Sequence, residues 1–480
     1  MAYDYDALIG GAWVGGDERI EVRDPATGER IGSVPAFGPE VAEEVYATAT
    51  RGAEVWRRTS PLKRMEVMFG AARIMRERLA DLAELIVREN GKTRAEATGE
   101  VTKSAEFLEY YAGMGRDQLG YFVADARPDT NTRAIYEPIG VVLAITPWND
   151  ALLTPCRKLA PAFIAGNAVI IKPASDTPLI AIELARALVE AGMPPEVIQV
   201  VTGRGGTVVD ALLADARVAG VSFTGSTEVG LQIQRSLAGS NVRVQTEMGG
   251  KNASVVLADA DLSLAADTVV AAAFGGAGQR CTATSRVIVE RSVRDEFLAE
   301  LGRRVGALVV GNGLSEGTQV GALINARHRD AVLRAIDEAR LAGGEVLVGG
   351  DAPGGDLADG CFVRPTIIAN VAEDAAAWRE EIFGPVIAVR ECDGFDDALR
   401  QVNASGYGLS AAVFTRSLAA AERFIARAET GQVSVNLPTS GWDIHHPFGG
   451  FKLSGSGYKE QGVEALGFYR RVKTAAVRAV

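Results

Sequence analysis

Histidine is the scarcest of the usual catalytic residues in this 480-residue chain, with His328, His445 and His446 making up the whole inventory. A Ser-His-Asp triad or an H-E-x-x-H zinc site would have to be built from these three, and none has the spacing. No metal site is expected. Cysteine is nearly as sparse: Cys156, Cys281, Cys361 and Cys392 stand far apart without a C-x-x-C pair. That argues against a disulfide scaffold or a thiolate zinc site and fits a reducing compartment. Long hydrophobic runs are missing too, since Leu159 to Ile171 is broken by Pro161 and Asn167 and falls short of the roughly 20 residues that span a bilayer. Met1-Ala2-Tyr3-Asp4-Tyr5-Asp6 carries acidic groups where a secretory signal has basic ones. The expectation is a cytoplasmic protein with no membrane partner. Basic excess is absent as well: 50 Lys and Arg face 61 Asp and Glu, for a formal charge of −11. No nucleic-acid partner is expected, and Arg303-Arg304 and Arg470-Arg471-Lys473 read as solvated surface.

What the chain does hold is apolar material, 47% of residues, and 54 glycines, above the typical level of about 7%. Its length exceeds one domain of about 100–200 residues, so two or three domains are expected. Leu8-Ile9 and Ala12 to Val14 flank Gly10-Gly11 as a hairpin, and a strand pair follows near Ile20 to Arg23 and Arg30 to Val34. Helical spacing then predicts helices over Glu40 to Thr59, Pro61 to Gly91 and Ala97 to Gly120. From Val141 short apolar strands alternate with helices up to Glu247, the pattern of a doubly wound α/β domain. A second run of the same type follows Gly249-Gly250-Lys251. A strand-like stretch from Gly467 to Ala476 ends the chain.

Three places invite chemistry. Cys281 follows Gly275-Gly276-Ala277-Gly278-Gln279-Arg280 and precedes a strand, so it is either a nucleophile with small neighbours that admit a substrate or a small buried hydrophobe. Glu247 ends a strand before Met248-Gly249-Gly250, where ligands enter α/β sheets. It is either a desolvated general base or a surface carboxylate. Gly225-Ser226-Thr227 follows the strand ending at Phe223 and reads as a phosphate-binding turn or a plain helix start. It matches neither G-x-G-x-x-G nor the P-loop. Lys172-Pro173-Ala174-Ser175 adds a cation and a hydroxyl at a similar edge.

Taken in order, these segments resemble the aldehyde dehydrogenase superfamily over nearly the whole chain. The marks are Ile145-Thr146-Pro147-Trp148-Asn149, Lys172-Pro173-Ala174-Ser175, Phe223 to Gly230, Glu247-Met248-Gly249-Gly250-Lys251, Gly278-Gln279-Arg280-Cys281, Glu381-Ile382-Phe383-Gly384-Pro385 and Pro447-Phe448-Gly449-Gly450. The resemblance implies that Cys281 attacks an aldehyde, that the Asn149 amide and the Cys281 N–H hold the oxyanion, and that Glu247 activates water to hydrolyse a thioester. It implies an NAD or NADP cofactor. Lys172 and Glu381 would meet its ribose hydroxyls, Ser226 its pyrophosphate and Phe383 its nicotinamide ribose. Trp148 would flank the channel, with Thr146 and Gly225 in the same motifs. Ser175 stands where NAD-selective relatives often carry glutamate, so NADP should be tolerated or preferred.

Arg157 matches an arginine that binds the distal carboxylate in semialdehyde dehydrogenases. Succinate or 2-oxoglutarate semialdehyde are the leading substrates, and an uncharged aldehyde is the alternative. A coenzyme A-acylating enzyme is disfavoured because it needs no base like Glu247. Asp150 replaces a common aromatic, and Gly275 stands where some relatives have a second arginine. The implied architecture is two Rossmann-like open α/β domains plus a small oligomerisation sheet. Residues 1–120 and 138–249 would bind NAD(P), 250–445 would form the catalytic domain and 446–462 would return to the cofactor domain. Residues 121–137 and 463–480 would join a homodimer or homotetramer.

Overall fold

The computed structural model describes residues 3–117 and 119–478. Met1, Ala2, Gln118, Ala479 and Val480, which belong to the expected first, third-helix and terminal segments, lie outside the described residues.

Two open α/β sheets dominate. The first has five parallel strands in the order Ile198–Val200, Ala168–Lys172, Val141–Ile145, Val218–Thr224, Arg243–Glu247. Val141–Ile145 and Ala168–Lys172 are buried at every position. A strand covered by helices on both faces needs that, which is why these segments read as continuous apolar runs rather than alternating ones. The chain winds outward from Val141–Ile145 to Ile198–Val200, then crosses back to Val218–Thr224. The order therefore reverses between two adjacent strands, and the crevice beyond their carboxyl ends is where such sheets bind ligands. Thr146 to Asn149 and Gly225-Ser226 leave the strands at that crevice.

The second sheet has seven strands, with Asn252–Val256 and Thr284–Glu290 adjacent near its centre. Its one antiparallel pair, Glu345–Val348 with Thr366–Ala369, lies at an edge. Because Asn252 follows Glu247 so closely, the amino ends of this sheet's strands abut the carboxyl ends of the first. A third, antiparallel sheet joins Gly120–Val123, Thr130–Pro138 and Arg470–Arg478, the last two paired over nine positions.

The helical expectations need adjustment. Pro61 to Gly91 is two helices, Pro61–Glu77 and Leu79–Asn90, broken at Arg78 with φ −99° and ψ 18°. No proline or glycine marks that break. The third helix runs Arg94–Gly113 and starts earlier than its periodicity indicates, because Thr93 and Glu96 form a reciprocal capping box. Gly120 begins a strand instead of ending that helix. The terminal strand starts at Arg470, after a helical turn Leu466–Tyr469.

Helix Leu179–Glu190 has no side-chain cap of its own. Glu89, buried at the end of another helix, supplies one by accepting from the N–H groups of Leu179 at 2.6 Å and Ile180 at 3.1 Å. Removing a buried acceptor strands both donors, at roughly 1–3 kcal/mol. Glu89→Ala is therefore expected to lower the urea midpoint of unfolding, whereas Glu89→Gln, which keeps one acceptor, is expected to lower it less. Equal midpoints for wild type and Glu89→Ala would contradict the cap.

Candidate active site

The helix Leu262–Phe274 ends in a tight turn, Gly275–Gly278, in which Gly276, Ala277 and Gly278 all have left-handed φ, at 62°, 53° and 71°. Left-handed backbone at Ala277 costs about 1 kcal/mol. At Gly278 a Cβ would come within 2.2 Å of the Gly384 carbonyl oxygen, so only glycine fits. The turn delivers Cys281 to the amino end of Thr284–Glu290. There Asn252 Nδ2 donates to the Cys281 carbonyl at 2.7 Å. Cys281 is half-buried, whereas Cys156, Cys361 and Cys392 are buried.

Cys281 sits where two cavities meet. One, of about 270 Å³, opens past Glu96, Lys103, Arg280 and Trp442; the other, of about 220 Å³, runs past Trp148, Ser226, Glu381 and Phe383. Both are also lined by Asp150, Arg157 and Phe448. Asn149 and Glu247 line the second. The three residues expected to do the chemistry are thus brought together, from the ends of two strands of one sheet and the start of a strand of the other.

Glu247 is 2% exposed, and neither carboxyl oxygen has a hydrogen-bond partner. Burial pushes its pKa well above the usual carboxylate range, and the negative charge of Glu460 pushes it further. Gly449 closes over it: a Cβ there would lie 2.5 Å from Glu247 Oε1. Glu460 is buried and paired with the Lys158 ammonium. Burial likewise raises the Cys281 thiol to about 12, and Arg157 is the main group opposing that rise. The Arg157 guanidinium is 7% exposed, lies 4.7 Å over the Phe448 ring and approaches Glu460 Oε2 at 3.6 Å. Its Nε has no hydrogen-bond partner.

A third cavity of about 480 Å³ extends from Thr146 and Lys172 past Gly205, Gln232 and Ser236. It neighbours the second along the switch point, with Thr146 lining one and Pro147 the other, the region where such sheets bind dinucleotides. The donor set fits. Lys172 is buried, its pKa lowered to about 8 by desolvation, and its ammonium donates to the Pro173 carbonyl. Ser226 caps helix Thr227–Leu237, whose N-terminus favours a pyrophosphate. Glu381 accepts from the Gly250 N–H at 3.0 Å and is raised to about 7 by burial. Thr146 donates its N–H to the Lys172 carbonyl, which ties the two walls together. Ser175 is placed differently: its hydroxyl donates to the Gly203 carbonyl at 2.9 Å, and it is not among the residues facing the cavity.

One contact was illegible in the sequence. His328, from helix Ala326–Leu341, bonds through Nε2 to the Phe383 carbonyl at 2.8 Å, and Phe383 has φ 56°. Trp148 meets the Phe383 ring edge-on at 5.3 Å and the His328 ring at 5.5 Å. Trp148 and Phe383 line the second cavity, and the His328 ring packs edge-on against both. The scarcity of histidine was a signal in principle, but nothing near His328 in sequence points to Phe383. His445 and His446 are exposed.

A half-buried cysteine where two cavities meet, one of them at the switch point of an open α/β sheet, is the arrangement a cysteine-dependent dehydrogenase needs. The chain belongs to the aldehyde dehydrogenase family, whose model matches residues 13–475. It is 39% identical to an alpha-ketoglutarate semialdehyde dehydrogenase of Haloferax volcanii, covering 97% of each chain. It is 38% identical to a 2,5-dioxopentanoate dehydrogenase of Saccharolobus solfataricus, covering 96% of each. It also superposes with a TM-score of 0.96 on a betaine aldehyde dehydrogenase of Staphylococcus aureus in complex with NAD+, at 32% identity over 99% of this chain and 95% of that one. The protein is therefore an NAD(P)-dependent aldehyde dehydrogenase acting through a cysteine. No described helix is long and apolar enough to cross a membrane.

With its thiol at about 12, Cys281 should be alkylated by iodoacetamide about tenfold faster per pH unit between pH 7 and 9, because only the thiolate reacts. The three buried cysteines should lag behind it. Arg157→Met removes the main group lowering that pKa and should slow Cys281 alkylation. An unchanged rate in that variant would contradict the electrostatic assignment, and mass spectrometry of the alkylated peptides reads both results.

Proposed function

We propose that the enzyme oxidises an ω-semialdehyde acid, with 2-oxoglutarate semialdehyde and succinate semialdehyde as the leading candidates. The observation that carries this reading is Arg157, a buried guanidinium on the wall that Cys281 shares, whose Nε has no hydrogen-bond partner among the described residues and whose one carboxylate neighbour, Glu460, stands off at 3.6 Å. A buried cation paired this loosely leaves donors unsatisfied. A substrate carboxylate would answer it with paired charge-assisted hydrogen bonds. The two relatives named above support the same substrate class.

In this reading Cys281 gives its thiol proton to Glu247 and attacks the aldehyde carbon as the thiolate, and the Asn149 amide with the Cys281 N–H holds the oxyanion; that proton leaves to solvent before Glu247 acts again as base. Donors of this kind act because they are in place before charge develops. Lys172, Ser226, Glu381 and the Trp148–Phe383 wall would hold the dinucleotide, which when bound supplies the hydride acceptor. Glu247 then takes a proton from the water that hydrolyses the thioester. Its raised pKa makes it a stronger base than an ordinary carboxylate, and it weighs against transfer to coenzyme A. Ser175 carries no charge to repel a 2′-phosphate, so NADP is accepted along with NAD.

The assignment of residues 1–120 and 138–249 to cofactor binding, 250–445 to catalysis and 446–462 to a return segment belongs to the same proposal. So does a homo-oligomer formed through the third sheet, on which Tyr121, Phe122, Val472 and Val477 are exposed.

Cys281→Ala should bind cofactor yet lose aldehyde oxidation, and full turnover would sink the proposal. Arg157→Ala should lower kcat/KM for the semialdehyde acids by about 2–5 kcal/mol in transition-state terms, while an uncharged aldehyde of equal length should lose less, only the help the guanidinium gives the thiol. Equal losses would favour the uncharged-substrate alternative.

The pH profile has a defined sign. Because the pKa of Glu247 is raised, the base is mostly protonated at low pH, and thioester hydrolysis should speed up as pH climbs through that pKa. Glu247→Gln should slow hydrolysis more than acylation and flatten the limb. A limb that survives unchanged would assign the titration to another group.

A further inference from the structure

The connection between helices Leu79–Asn90 and Arg94–Gly113, with the first two turns of the latter, touches both loops that carry the proposed oxyanion donors. On one side Asn90 Nδ2 donates to the Trp148 carbonyl at 2.7 Å. Lys92 Nζ bonds Asp150 Oδ1 at 2.9 Å and Glu100 Oε2 at 2.6 Å. Glu100 Oε1 in turn accepts from the N–H groups of Leu152 and Leu153, at 2.9 and 3.2 Å. The backbone is thus gripped at 148, 152 and 153 and the side chain at 150, while the Asn149 amide between them bonds no other described residue.

On the other side Glu96 Oε1 accepts from the Gly276 N–H at 2.5 Å and stands 3.7 Å from the Arg280 guanidinium. Its other oxygen accepts from Thr93 N and Oγ1. Glu96 therefore holds the left-handed turn that sets the direction of the Cys281 N–H. The Lys92 side chain is 6% exposed and that of Glu100 3%. Buried charges this close interact strongly and resist displacement.

We infer that residues 90–100 are a brace that fixes the distance between the Asn149 amide and the Cys281 N–H, with Lys92 and Glu96 as positioning residues. This rests on the oxyanion reading of Asn149 proposed above. Asp150 is an integral part of the brace: a carboxylate there receives Lys92, which an aromatic side chain at that position could not. A misplacement of about 1 Å at a reacting centre can cost on the order of 100-fold in rate, so small disturbances of the brace should appear in kcat.

The test compares Lys92→Met, Lys92→Arg, Glu96→Gln, Asn149→Ala and the double variant Lys92→Met/Asn149→Ala in the full-length enzyme. Single-turnover NADH formation with succinate semialdehyde reads acylation, and fluorescence titration reads NAD binding. Lys92→Met and Glu96→Gln should each slow acylation about 10- to 100-fold with NAD affinity unchanged, and Lys92→Arg should recover part of the loss. The double variant should be no slower than Asn149→Ala, because a misplaced donor and a missing one are equivalent.

Full acylation rates in both Lys92→Met and Glu96→Gln, with Asn149→Ala impaired, would overturn the brace and leave the oxyanion reading standing. So would additive losses in the double variant. An unimpaired Asn149→Ala would overturn the oxyanion reading, and the brace with it. If Lys92→Met does not fold, the near-isosteric Glu96→Gln decides alone: a slowed acylation step with unchanged NAD affinity supports the brace, and a full rate overturns it.

Discussion

Only Met248, Gly249, Gly250 and Lys251 separate the last strand of one sheet from the first strand of the other, and the site depends on this short link. It holds the carboxyl ends of one set of strands against the amino ends of another. Space along it is limiting. A Cβ on Gly249 would lie 2.1 Å from Glu381 Oε2, and one on Gly250 2.8 Å from the Cys281 carbonyl oxygen. The link therefore starts at Glu247, presses Glu381 toward the dinucleotide cleft and passes behind Cys281, all within five residues. A larger side chain at either glycine would force those groups apart.

The same economy explains what could be read from the amino-acid order. Strands buried on both faces announce themselves as apolar runs, glycines mark the close approaches, and Cys281 and Glu247 sit beside glycines for steric reasons that a linear reading can sense. Long-range partnerships leave no such trace. Glu460 lies far along the chain from Glu247 and Lys158, His328 from Phe383, and Glu89 from Leu179. Nothing local marks Lys92, Glu96 or Glu100 as partners of the 148–153 and 276–280 loops, though Thr93 and Glu96 at capping-box spacing are a legible helix start. The break at Arg78 has no local cause in its side chain. Ser175 was read for its missing charge, and its hydroxyl turned out to be engaged by Gly203.

The charge balance around the thiol explains how the site manages without histidine. Burial keeps Cys281 a thiol near neutral pH, its pKa pushed up to about 12, and burial with the Glu460 charge moves Glu247 in the same direction, toward its neutral form. Lys158 is committed to Glu460 and Ser222, which leaves Arg157 as the main cation acting on the thiol. A carboxylate bound to Arg157 would neutralise it and withdraw that help at the moment of attack. The two demands on Arg157 are compatible only if a second cation shares the substrate charge or if the thiol loses its proton before the carboxylate is seated. Arg280 and Lys103 line the outer part of the same cavity, and Arg280 is held only loosely, 3.7 Å from Glu96. In the proposed reading those two cations would share the charge of a bound carboxylate, against the Glu96, Glu100 and Asp150 carboxylates on the same cavity wall.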